Sequence, residues 1–440
     1  MADRKRYAIV GLGSRSRMFT TAILKDYSER AQLVAFCDVN QTRMDYYNSY
    51  YAETLNAPPV PTYKPQDFDK MLDEQRVDVV IVTSIDRTHH RYIIRAMELG
   101  RDVITEKPMT IDATRCQAIL DTVNATGRNL TVTFNYRYAP RNAKIKELLQ
   151  AGAVGKVLSV HFEWLLDTVH GADYFRRWHR DKRNSGGLMV HKATHHFDLV
   201  NWWLDSQPET VFAMGDLMFY GRENAEERGA TQFYERAYGR PAAEDDPFAL
   251  HLDRDDALRK MYLEAENEDG YLRDRSVFGE GISIEDDMSV LVRYKNRAMM
   301  SYHLTAYSPW EGYRVAFNGT KGRLEYEVHE NSYVSGANDD TNLPEVRDAK
   351  ETVVDEPSSV LIRPQWGKPL RVELEGGSEG GHGGGDRRML DTIFLGGGAQ
   401  DPLGRAANHV SGAMSILTGV AANKSFATGL PVRVADLVKF

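Results

Sequence analysis

Five apolar runs near the start of the chain constrain its fold most. They are YAIVGLG, LVAFCDV, VDVVIVTSI, RDVITEKP and NLTVTFNYR. Between them lie the helix-like segments SRMFTTAILKDYSE, NQTRMDYYNSYYAETL, KPQDFDKMLDEQ, HHRYIIRAMELG and ATRCQAILDTVNATG. Strands that alternate with helices of this length predict βαβ units and a parallel sheet. The runs are apolar throughout rather than every second residue, as expected for strands covered on both faces. Residues 1–125 therefore read as a doubly wound α/β domain.

At 440 residues the chain is too long for one compact core, and its character changes beyond 125. Residues 126–440 read as a second, α+β domain. GKVLSVHFEWLLD alternates like a strand with one wet face, and SGGLMVHKATHHFDLVNWWL reads as a helix. ETVFAMGDLMFY, MSVLVRYKNRAMMSYHLTAY, YRVAFNGTKGRLEYEV and LRVELEG add strands. The turn signals NGTKG and YKNR predict a largely antiparallel open sheet. The charged stretch 221–280 reads as an insertion with a few short helices and a solvated face. EGGSEGGHGGGDRR is a glycine-rich loop, and HVSGAMSILTGVAANKS is a further helix.

Composition narrows the function classes. The two cysteines, Cys37 and Cys116, argue against a disulfide scaffold and a thiolate metal site, and fit a reducing cytosol. The net charge of −8 gives no reason to expect nucleic acid or an anionic membrane. No segment is apolar for long enough to span a bilayer. MADRKRYAIV passes from charges straight into a strand-like run, so no secretory leader is expected.

The first βα turn, AIVGLGSRSRMF, carries the first chemical signal. A phosphate-cradling turn needs one glycine for the bend and a second for close approach of a pyrophosphate, at a helix start with free N–H groups. Gly11 and Gly13 supply these, with Ser14 between the glycine turn and the helix. Ser16 stands where a third glycine would pack helix on strand, and serine is small enough. Arg15 and Arg17 add positive charge near the phosphates. Asp38, ending the second strand in AFCDVN, can accept both ribose hydroxyls and would repel a 2′-phosphate, which favours NAD(H) over NADP(H). The competing reading is an ordinary strand-turn-helix with Asp38 as a helix cap.

RDVITEKPMT then places Glu106, Lys107 and Pro108 at a strand end on the ligand-binding edge of the sheet. Together with GLGSRS and FCDVN it resembles the Gfo/Idh/MocA oxidoreductases, the family of glucose-fructose oxidoreductase and inositol dehydrogenase. The resemblance covers nearly the whole chain apart from 221–280. It implies a Rossmann domain, NAD as cofactor, and a cofactor site extended by Thr83, Ser84, His89, Glu106, Lys107 and Asn135. In GGLMVHKATHHFD it matches Gly186, Gly187, His195 and Asp198 to the family pattern, while His191 stands where the family usually has Asp. Ile85 likewise replaces a usual proline in VTSIDRTHH. Asn135, Tyr136 and Arg137 of FNYRYAP fit the crossing between domains. The resemblance further implies a homo-oligomer, dimer or tetramer, paired through the open sheet.

Oxidising a secondary alcohol requires a base within hydrogen-bond reach of the hydroxyl. A lysine can serve if burial or neighbouring positive charge lowers its pKa, while Glu106 pulls the other way. Lys107 is read as the acid/base, with His195 and His191 sharing or relaying the proton. Arg137, Tyr174, Trp178, His179, His191 and His195 are the expected substrate contacts, the rings stacking on a carbohydrate. His191, His195 and Asp198 at i, i+4 and i+7 also have metal-ligand spacing, with His179 or His382 as further ligands, but no metal is assigned. Lys192 and His196 are expected to point elsewhere, although Lys192 could add a cation. His382 and Asp386 of the glycine-rich loop could lie over the site or in a solvent-exposed bend. A dehydrogenase of a sugar, polyol or glycoside hydroxyl is the leading expectation. Two alternatives stand beside it. One is transient oxidation with elimination across C1 and C2, using His191 or His195 as base. The other is a non-catalytic cofactor sensor.

Overall fold

The computed structural model describes residues 4–334, 357–374, 384–396 and 401–440. Strands β1 (Lys5–Val10), β2 (Ala31–Cys37), β3 (Thr62–Tyr63), β4 (Val79–Val82), β5 (Asp102–Thr105) and β6 (Leu130–Val132) form the first sheet. Its order is β3-β2-β1-β4-β5-β6, and every pairing is parallel. The chain order reverses between β1 and β4, which opens a crevice at the carboxyl ends of these strands. Val79 to Val82 are all buried, as the unbroken apolar runs require. The sheet includes β6, so it continues past residue 125.

Two of the helices between the strands begin where a side chain satisfies a free amide. Asn40 accepts from Arg43 N at 3.2 Å to cap helix Gln41–Leu55, and Asp112 accepts from Arg115 N at 2.8 Å to cap Ala113–Thr126. Each such cap contributes about 1 kcal/mol.

The second sheet contains β7 (Val157–Asp167), β8 (Pro208–Asp216), β9 (Asp287–Tyr294), β10 (Met299–Ser308), β11 (Gly312–Gly319), β12 (Gly322–His329), β13 (Ser359–Pro364), β14 (Leu370–Val372) and β15 (Val432–Arg433). Its order is β14-β13-β12-β11-β7-β10-β9-β8-β15, antiparallel except where β10 meets β7. β9 alternates buried and exposed residues along its length, so one face packs and the other is open. On the packed face the Trp164 ring is stacked by His196 at 3.9 Å and Tyr313 at 4.5 Å.

Helix His409–Thr428 lies across the junction and packs on β6, β8 and the segment 188–203. Gly419 permits that contact: a Cβ there would stand 2.2 Å from the Met189 carbonyl oxygen. The expected single helix over SGGLMVHKATHHFDLVNWWL is two helices, Leu188–His191 and Thr194–Trp203, broken at Lys192–Ala193. Among the described residues, no helix is long and apolar enough to cross a membrane.

The stretch 221–280 forms the expected short helices, but it is not merely a solvated face. Leu252, Met261 and Tyr262 are buried in the core shared with β1, β2 and helix Gln41–Leu55. Arg43 donates to the Met261 carbonyl at 3.1 Å and pairs with Asp269 at 2.7 Å. Glu268 accepts from the Gln41 and Thr42 amides at 2.6 and 2.8 Å, capping that helix from outside.

Candidate active site

A cleft of about 990 Å³ lies at the crevice and is walled by both sheets' connections and by the 256–271 stretch. Gly11, with φ +90°, makes the bend after β1, and a Cβ there would meet Ser84 backbone at 2.4 Å. Only glycine fits that position. A Cβ on Gly13 would meet nothing within 4 Å, so this side of the loop is open for a ligand to approach. The loop is held from below. Thr83 donates to the Gly11 carbonyl at 2.6 Å, and Ser16 and Tyr47 donate to the Gly13 carbonyl at 2.7 and 2.9 Å. Ser16 is buried and does not line the cleft, so it keeps the packing duty of the missing glycine.

Asp38 lines the cleft at the end of β2 and accepts from Leu12 N at 2.5 Å and Asn40 N at 2.8 Å. Burial raises its pKa, while the two amides and Arg43 draw it back down. The two amides aim the carboxylate, and the glycine cradle and open cleft beside it fit the shape and donor set of a dinucleotide. Tyr262 adds to this wall from the 221–280 stretch, its hydroxyl 2.8 Å from Ser14 Oγ.

Two arginines depart from expectation. Arg15 lines the cleft, but its guanidinium donates to Glu106 at 2.7 Å and reaches Asp386 at 3.3 Å. Arg17 lies over the Tyr50 ring at 4.7 Å, away from the phosphate loop. Asp386 therefore does reach the site, through Arg15 and through Asn135, which donates to it at 2.6 Å. Asn135 itself is outside the cleft lining. His382 lies outside the described residues.

At the other end stands Lys107, next to a cis Lys107–Pro108 bond at the carboxyl end of β5. Its Nζ donates to the His191 carbonyl at 3.2 Å. Burial pushes its pKa down to about 8, helped by the charge of Lys192 and opposed by Asp86 and Glu106. Glu106 is already bound by Arg15, which limits its hold on the lysine. His89 lines the cleft with both ring nitrogens on backbone oxygens, Pro108 at 2.9 Å and Ser84 at 2.8 Å. It clips the β4 loop to the lysine turn.

His191 Nδ1 lies 2.5 Å from Asp86 Oδ2. Burial drives the imidazole well below its ordinary pKa, with Lys107 next, and drives Asp86 well above its own. The two groups share one proton across this contact, which commits Nδ1 to Asp86 and fixes the orientation of the neutral ring. His179 stands edge-on to His191 with ring centres 4.1 Å apart and stacks on Trp178 at 3.6 Å, and Tyr174 closes the group. His195 also lines the cleft and stacks on Tyr136 at 4.5 Å.

His191 ends the first of the two helices and His195 lies in the second, and both line the cleft. Asp198 is buried in the second helix and bound bidentately by Arg137, at 2.7 and 2.5 Å. Arg137 is therefore corrected from substrate contact to structural partner, because its guanidinium is committed and it does not line the cleft. Asp198 is likewise removed from any ligand set with the histidines, and no metal-holding cluster occurs among the described residues.

Sequence reasoning missed Asp86, Tyr262, Glu268, Asp269 and Tyr271, all of which line the cleft. Asp86 could have been found, since it directly follows Ile85 at the carboxyl edge of β4. Lys192, expected to point elsewhere, also lines the cleft.

Comparison with known proteins agrees with this geometry. Residues 5–134 match the oxidoreductase-family NAD-binding Rossmann fold, and residues 146–434 match the oxidoreductase-family C-terminal alpha/beta domain. The chain belongs to the Gfo/Idh/MocA oxidoreductase family. It is 35% identical to YteT of Bacillus subtilis (strain 168), described only as an oxidoreductase, over 98% of both chains. It is 26% identical to an inositol 2-dehydrogenase/D-chiro-inositol 3-dehydrogenase of Lactiplantibacillus plantarum over 31% of this chain and 37% of that one. The WlbA dehydrogenase of Bordetella pertussis, solved with NADH and UDP-GlcNAcA, has the same fold. It shows a TM-score of 0.61 and 17% identity over 98% of this chain and 99% of that one. The cofactor of this family's Rossmann domain is NAD.

Proposed function

We propose that the protein is an NAD-dependent dehydrogenase acting on a secondary hydroxyl of a sugar or polyol. The observation that carries this reading is the meeting of Lys107, His191 and Asp86 at the end of the cleft opposite Asp38. Bound NAD supplies the two-electron acceptor. The chain's own residues do the rest. Gly11, Gly13, Ser14 and Asp38 hold the dinucleotide, with Thr83 and His89 fixing the loops that shape its path. Lys107, made less basic by burial, takes the hydroxyl proton. Asp86 orients His191, and His191 and His195 position the hydroxyl or pass its proton on. Tyr174, Trp178 and His179 wall the carbohydrate.

The test is purified protein with NAD⁺ and a panel of sugars and polyols, followed at the nicotinamide absorbance. Turnover of at least one member is expected; no turnover by protein shown to bind NAD contradicts the reading.

A second reading keeps the oxidation transient and expels the group at C1. It is favoured by the 256–271 stretch over the cofactor end, which suits a retained cofactor. Cleavage of an aryl glycoside without added NAD⁺, with deuterium exchange at C2, would select it. The open sheet face, which exposes Met214, Leu291 and Met299, supports a homo-oligomer formed on that face.

A further inference from the structure

Lys192 is 4% exposed and lines the cleft, yet among the described residues no carboxylate lies within 4.0 Å of its ammonium and no hydrogen bond reaches it. Its nearest arrangement is the face of Trp164, with Nζ 4.9 Å from the ring centre. That contact holds the cation in place without neutralising it.

Burial lowers the pKa of Lys192, and the carboxylates that pull it the other way are Glu311, Glu330 and Asp167. Each is already engaged. Glu311 is held by His170 at 2.8 Å, and Glu330 is paired with Arg141. Asp167 accepts from Val169 N, His170 N and Asn331 Nδ2. The carboxylates lining this end of the cleft are taken too, Asp86 by His191 and Glu106 by Arg15. A second ammonium, Lys107, faces the same space.

A buried charge without a partner is costly, and a ligand that brings the opposite charge recovers that cost. Resting on the dehydrogenase reading, we infer that the substrate carries a carboxylate and that Lys192 is its anchor. The substrate class is then a uronic or aldonic acid rather than a neutral sugar. A carboxylate brings one negative charge to the Lys192 ammonium, whereas the Arg177 guanidinium, which also lines the cleft, is already paired with Asp173 at 3.1 Å.

The experiment compares glucose with glucuronate, galactose with galacturonate, and glucose 6-phosphate as the phosphate arm. It uses the NAD-loaded protein, with turnover and calorimetric binding both measured. The acids should exceed their neutral parents by at least about 10-fold in kcat/KM and in affinity. Lys192→Met should collapse that ratio, chiefly through KM, and Lys192→Arg should retain part of it. A smaller ratio in the unaltered protein overturns the inference, as does a ratio that survives Lys192→Met or a preference for the phosphate. Loss of all turnover contradicts the dehydrogenase reading alone, because acid-over-parent binding to the NAD complex still decides the role of Lys192.

Discussion

Replacing Lys107 with methionine keeps the stem of the side chain and removes the ammonium that this reading makes the acceptor of the hydroxyl proton. Its pKa, pushed from 10.5 to about 8, sets the magnitude. At pH 7 about one lysine in ten is neutral, against about one in three thousand at the ordinary value. Burial and Lys192 thus raise the supply of base about 300-fold. The sign follows from the role. A base acts deprotonated, so kcat/KM for oxidation should rise with pH and level off above about 8. His191 is driven well below its ordinary value, so it stays neutral and adds no inflection in this range. Lys107→Met should lose about 100- to 10,000-fold in kcat and lose the inflection, while still binding NAD. The assay is initial-rate NAD reduction across the neutral and alkaline range, with NAD binding by fluorescence. A flat profile, an inflection at the value of an unperturbed lysine, or a variant keeping more than about a tenth of the rate would refute the assignment.

Three further outcomes are expected. Asp86→Asn removes the carboxylate that orients His191 and should lower kcat about 10- to 100-fold, with a smaller effect on NAD affinity, separable by calorimetry. Asp38→Ser should weaken NAD about 10- to 100-fold in a fluorescence titration, because a charged acceptor for the ribose is lost and the Leu12 amide is freed. Arg137→Leu leaves Asp198 charged and unpaired in the core and should cost about 3 to 5 kcal/mol in urea unfolding.

The doubly wound domain was legible because its strands are buried on both faces and its helices keep their period. The cofactor turn was legible because a glycine bend and a strand-end carboxylate have little freedom in such a sheet. The histidine segment was misread for a physical reason. A helical pattern of apolar residues does not reveal a two-residue break such as the one at Lys192–Ala193. Arg137 reads as a substrate contact in the sequence because its partner Asp198 is distant in the chain, and pairing at that range leaves no local trace. The charged stretch 221–280 looked solvated because its contacts to Asn40, Gln41, Thr42 and Arg43 are polar caps and ion pairs, which carry no hydrophobic period.

The most direct measurement of the central claim is a crystal structure of the protein with NAD and a slowly reacting sugar acid or polyol. The account predicts one hydroxyl oxygen roughly 2.6–3.2 Å from Lys107 Nζ, flanked by His191 or His195, with its carbon facing the nicotinamide ring. A ligand whose reacting hydroxyl touches none of these three side chains would contradict it.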